Sequence, residues 1–151
     1  MEVIAVYALT EIEVRLDEGA NSGFASIVQQ YLEQQLAESA ARRRRAARLN
    51  GRLGLTATDY GASVTVEFSR RRISVRDGVA SGLDASIAGP LESLTALLRG
   101  NANPLVEHLR GRLTVSSKLK SFFLPLRVHR LMKLPAERRK REEIHDAGRN
   151  L

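Results

Sequence analysis

The chain of 151 residues has no cysteine and no tryptophan, and aromatic side chains make up only 5% of it. Without cysteine there is no disulfide framework and no thiolate zinc site, which suits a reducing cytoplasm. Few aromatics weaken the case for a protein that stacks nucleobases on aromatic platforms. Long apolar runs are missing too. The stretch Val3 to Leu9 has no basic leader ahead of it and falls far short of the roughly 20 residues of a spanning helix. A soluble cytoplasmic protein, peripheral at a membrane at most, is therefore expected.

Catalytic patterns are equally sparse. His108, His129 and His145 are far apart in sequence, without the i, i+4 spacing that puts two imidazoles on one helical face for a metal. There is no nucleophile elbow, no phosphate-binding loop ending in Lys and Ser or Thr, and no dinucleotide fingerprint. Ser63, Ser116 and Ser117 lack a recognisable base, and Asp77 and Asp84 read as a turn residue and an outward-facing strand residue. The expectation is a protein without catalytic residues, metal or cofactor.

Charge, by contrast, is abundant and polarised. Residues 1–41 carry seven acids and one arginine, a balance of −6, whereas residues 42–151 carry 23 basic and ten acidic residues, a balance of +13; together they give the net +7. A basic half of this kind attracts phosphate-bearing surfaces, either anionic lipid headgroups or nucleic acid. Its densest part is Arg42, Arg43, Arg44 and Arg45. This run reads either as a solvated helix end near the negative pole of the helix dipole or as a membrane-contact patch.

The length suits one domain with a real core, spanning residues 1–135, followed by a charged tail over 136–151. Ile12, Val14 and Leu16 alternate with Glu11, Glu13 and Arg15, so Thr10 to Leu16 is expected as a strand that joins the same sheet or pairs with a second copy in a homodimer. Ser22 is a candidate cap for an amphipathic helix from Phe24 to about Leu49, with Ile27, Val28, Tyr31, Leu32 and Leu36 on its inner face. Alternation then marks strands at Leu53 to Ala57, Val64 to Phe68, Arg72 to Arg76 and Leu83 to Ile87, with bends at Tyr60-Gly61, Arg70-Arg71 and Asp77-Gly78. Pro90 opens a leucine-bearing helix that Gly100 ends. Asn103 caps the next, with Pro104 at its first position and Leu105, Val106 and Leu109 on its inner side. Arg112 to Ser116 completes the strands, and Leu119 to Leu134 is a helix too apolar for an ordinary surface position, interrupted by Pro125. The fold class is α+β, an antiparallel five- or six-stranded sheet with helices packed on one face.

From Leu49 to Leu134 this order of elements resembles the sterol carrier protein two domain. The resemblance rests on Leu83-Asp84-Ala85-Ser86-Ile87, on the leucine helix Leu94 to Leu98 closed by Arg99-Gly100, on Asn103-Pro104 and on Gly111-Arg112-Leu113-Thr114-Val115. It departs at Ser117-Lys118, where many relatives have Gly-Asp. The family is one of lipid binding and transfer. The resemblance implies a tunnel between sheet and helices for an acyl chain, isoprenoid or sterol-like body, closed by the terminal helix. Relatives also act as lipid-presenting accessories in lipid or quinone biosynthesis. The apolar surplus of the helices points the same way, and the expected ligand contacts are Leu94, Leu98, Leu109, Phe122, Phe123, Leu126 and Met132. A basic nucleic-acid-binding protein is the alternative from another class.

Overall fold

Alternating apolar residues become the inner face of a six-stranded sheet whose strands are β1 (Glu13–Leu16), β2 (Asn50–Ala57), β3 (Ala62–Ser69), β4 (Arg72–Asp77), β5 (Ala85–Gly89) and β6 (Thr114–Ser117), in the order β1-β4-β3-β2-β5-β6. The computed structural model describes residues 12–17, 19–20, 22–118 and 124–132. Helices α1 (Gly23–Ala37), α2 (Ala40–Ala46), α3 (Leu91–Leu98) and α4 (Pro104–Leu109) accompany the sheet, with α5 over 124–132. Leu53, Leu55, Val64, Val66, Phe68, Ile73, Val75 and Ile87 point to one side, where they form a single core with Val28, Leu32 and Leu36 of α1, Leu94, Leu97 and Leu98 of α3 and Leu131 and Met132 of α5. Such burial of apolar surface, about 25 cal/mol per Å² removed from water, is the main force holding helices to sheet.

The meander β2-β3-β4 is antiparallel as its alternation implies. Two other pairings are parallel: β1 with β4, and β2 with β5. Asp77-Gly78 therefore does not close a hairpin. The chain leaves β4, passes over β3 and β2 in residues 78–84, and enters β5 on the far side. This strap lies on the sheet face opposite the helices. Thr65 of β3 fixes it from below: its hydroxyl donates to the Gly78 carbonyl at 2.8 Å and accepts from the Ala80 amide at 2.9 Å. Gly54 makes room for it, because a Cβ there would stand 2.7 Å from Leu83 Cδ1. Arg52 holds the end of the strap, with its amide donating to Asp84 Oδ2 at 2.8 Å and its guanidinium to the Ser81 carbonyl at 3.1 Å.

Capping residues set the helix starts. The Ser22 hydroxyl accepts from the Ala25 amide at 3.0 Å, while Asp77 Oδ2 accepts from the Ser22 amide at 3.1 Å, locking α1 to the end of β4. Asn103 Oδ1 accepts from the Leu105 amide at 2.9 Å, with Pro104 in the first turn. The single helix expected from Phe24 to Leu49 is broken in two. Ser39 takes an extended backbone (φ −152°, ψ 123°) and caps α2 by accepting from the Arg42 amide, as a side chain that bonds its own backbone favours. The chain turns there, and Arg43 donates to the carbonyls of Leu36 and Ala37, closing the end of α1.

Candidate functional site

The helix α5 is where apolar core and basic surface meet. Leu124, Val128, Leu131 and Met132 are buried, Leu126 is half-buried, and Arg127 and Arg130 are exposed. Both ends of this stretch are tied down. At the start, Leu124 packs so closely on β2 that a Cβ on Gly51 would lie 3.2 Å from its Cδ2. At the end, the Met132 carbonyl accepts from the Arg42 guanidinium at 2.9 Å.

Arg42 accordingly does not belong to a membrane patch. It is 2% exposed, and its guanidinium reaches the Gln35 carbonyl at 3.0 Å as well as Met132, joining the end of α1 to the end of α5. Arg43 closes the end of α1. Of the four arginines of the run, Arg44 and Arg45 are the exposed ones. Arg45 lines an open cleft of about 500 Å³ together with Arg48, Leu49, Arg127 and Arg130. Arg48, Arg127 and Arg130 escaped the sequence reading because a basic residue on an exposed face carries no periodicity of its own.

The expected ligand contacts separate into three groups. Leu94, Leu98 and Met132 come together in the core, and Leu126 lies at its margin. Phe122 and Phe123 lie outside the described residues. Leu109 points away: it is 86% exposed, with Leu105 and Val106 also exposed, whereas Pro104 and Glu107 are the buried residues of α4. The inward face of this helix is thus the one carrying Glu107, whose carboxylate lies 3.6 Å from the Arg112 guanidinium and whose carbonyl accepts from the Arg112 and Leu113 amides.

The histidines have separate surroundings. Nδ1 of His108 accepts from the Val115 amide at 3.1 Å, tying α4 to β6. His129 is buried in α5, and His145 lies outside the described residues. A smaller cleft of about 220 Å³ is lined by residues including Asp84, Ser116, Ser117 and Lys118. Among the described residues, no group of three or more His, Cys, Asp or Glu could hold a metal ion, and no helix is long and apolar enough to cross a membrane.

Residues 28–119, from α1 through β6, match the family model of the SCP-2 sterol transfer family. The chain belongs to that family. The match begins earlier than Leu49, within α1, and stops ahead of α5. No curated protein sequence matches the chain. Among solved structures, it is similar to one described as UbiJ-SCP2 ubiquinone synthesis protein, with 21% identity, TM-score 0.58, and 74% of this chain and 94% of the other covered. It is also similar to the sterol carrier protein domain 2 of Helicoverpa armigera, with 12% identity, TM-score 0.57, and 76% and 94% covered. At these identities the likeness establishes a shared SCP-2 fold.

Proposed function

We propose that this SCP-2 family member binds and transfers a lipid without catalysing a reaction, holding the apolar body between the sheet and α5. The observation that carries this reading is the family match over residues 28–119. In the closed arrangement Leu94, Leu98 and Met132 are covered, at 1%, 4% and 0% exposure. A ligand reaches them only when α5 moves off the sheet and its own apolar surface takes the place of side-chain contacts. Half-buried Leu126 marks the entry, and Phe122 and Phe123, just ahead of α5 in the sequence, are the remaining candidate contacts. Affinity comes from apolar burial less the cost of ordering ligand and helix. The exposed arginines favour delivery at anionic membrane surfaces.

Organic extraction of the purified chain followed by mass spectrometry tests the reading. A stoichiometric apolar compound is expected, and Phe123→Asp abolishes its copurification, because a carboxylate against an apolar ligand costs several kcal/mol. Circular dichroism establishes that this variant is folded. A folded wild-type chain that yields no lipid and binds no fluorescent fatty acid overturns the reading. Excess absorbance at 260 nm that salt removes points instead to nucleic acid.

A further inference from the structure

Two pairs of arginines line the cleft between α2 and α5. Arg45 and Arg48 are brought to one side by a tight turn that continues α2, in which the Arg48 amide donates to the Arg45 carbonyl at 3.1 Å and the Leu49 amide to the Ala46 carbonyl at 3.0 Å; residues three apart in such a turn are eclipsed. Arg127 and Arg130 share the i, i+3 spacing that makes neighbours on a helix surface. The ion pairs among the described residues engage Arg15, Arg42, Arg52, Arg72, Arg110 and Arg112, and none of the four cleft arginines. Four guanidinium groups around one cleft repel one another, and an entering anion reverses that sign.

A second observation concerns the same end of the sheet. Asn50, which follows the cleft residue Leu49, pairs with Ser69, so the β3–β4 turn Arg70-Arg71 stands beside the start of β2. Both turn residues have a left-handed backbone, with φ of 29° and 62°. A two-residue turn of this kind favours Asn or Gly, and side chains with a Cβ are strained there. The chain thus holds two further cations at this end at a conformational cost.

We propose that the Arg45, Arg48, Arg127 and Arg130 cleft binds a phosphomonoester or diphosphate group, supplied by the polar end of the carried lipid or by a membrane headgroup. The planar fork of each arginine matches pairs of phosphate oxygens, which makes it a selective partner for such groups. The volume of about 500 Å³ exceeds what a single phosphate fills and falls within the range of small-molecule sites. Buried Leu49 forms an apolar floor continuous with the core, so an amphiphile can present its charged end to the arginines and its chain to the core. The anion site stands on the arginines; only its link to a lipid rests on the function proposed above.

Calorimetric titration of the full chain with pyrophosphate tests the site. Saturable binding is expected, weakened at least tenfold by Arg127→Glu and by Arg48→Glu. Arg76→Glu makes the same charge change on the strap face of β4 and should alter it less than twofold. Dodecyl phosphate should bind at least tenfold tighter than laurate, a carboxylate with the same chain length. Dodecyl phosphate binding tighter than inorganic phosphate assigns the group to the cargo. Arg127-dependent pelleting with phosphatidic acid vesicles, without that gain, assigns it to the membrane. Absence of saturable pyrophosphate binding, or equal losses in Arg127→Glu and Arg76→Glu, overturns the site. An uncharged fluorescent lipid separates the two proposals: its binding persists in Arg127→Glu when the apolar site is real and is absent from wild type when it is not.

Discussion

The two faces of the sheet are covered by different physics. On one side helices bury leucine, valine and methionine against the strands, through contacts that are individually weak and not directional. On the other a seven-residue strap over 78–84 is held by named hydrogen bonds to Thr65 and Arg52. A cover of the first kind can part and close again around an apolar guest, since one set of apolar contacts replaces another. A cover of the second kind cannot part without stranding donors and acceptors.

The polar tie on the helical side is where that contrast breaks first. Replacing Arg42 by Ala leaves the Gln35 and Met132 carbonyls without their donor and is expected to cost about 3 kcal/mol. Arg44→Ala, from the same run, should stay within about 0.5 kcal/mol of wild type. Urea melts measure both, and equal values would mean that Arg42 does not anchor α5. Next in size is Gly89→Ala, where a Cβ would meet Leu113 Cδ2 at 2.5 Å and the Arg112 carbonyl oxygen at 2.8 Å. Because backbone must move, a loss of about 2 to 3 kcal/mol is expected by thermal melting. Gly54→Ala should cost less, since there the flexible end of Leu83 can turn aside.

The strap is probed by Thr65→Val, which keeps the shape and removes both hydrogen bonds. About 1 to 3 kcal/mol is expected, together with faster hydrogen exchange at the Ala80 amide ahead of the core strands. Uniform acceleration over the whole sheet would show that strap and core open as one unit. The smallest effect belongs to Leu109→Ser. At 86% exposure it should alter stability by less than about 0.5 kcal/mol and leave fatty-acid binding unchanged; a tenfold loss of binding would return this residue to the ligand wall.

Much of this architecture was legible in the residue order because its causes are local. Alternation at Val64, Val66 and Phe68 specifies a half-buried strand whatever it packs against, and Ser22 and Asn103-Pro104 carry their own capping chemistry. Leu94, Leu98 and Met132, expected as ligand contacts, are core members of the closed structure. Other features depend on partners distant in the chain. Helix α4 is only six residues long, and so brief a stretch has no settled apolar face: Leu105, Val106 and Leu109 looked inward, yet the sheet took Pro104 and Glu107. Asp77-Gly78 has the chemistry of a turn, but only the parallel pairing of β2 with β5 makes the chain cross two strands after it.

The sequence by itself determined the α+β class, the strands, the caps at Ser22 and Asn103 and the cationic bias of residues 42–151, since each follows from propensity, periodicity or charge. It also placed four identical side chains at 42 to 45 without distinguishing among them. Tertiary structure decided that Arg42 turns inward to a carbonyl 90 residues away, that Arg43 closes a helix, and that Arg45 joins Arg48, Arg127 and Arg130 around one cleft. The physical reason is that a charge is a property of one residue, whereas its burial and its company are properties of the surfaces that fold around it.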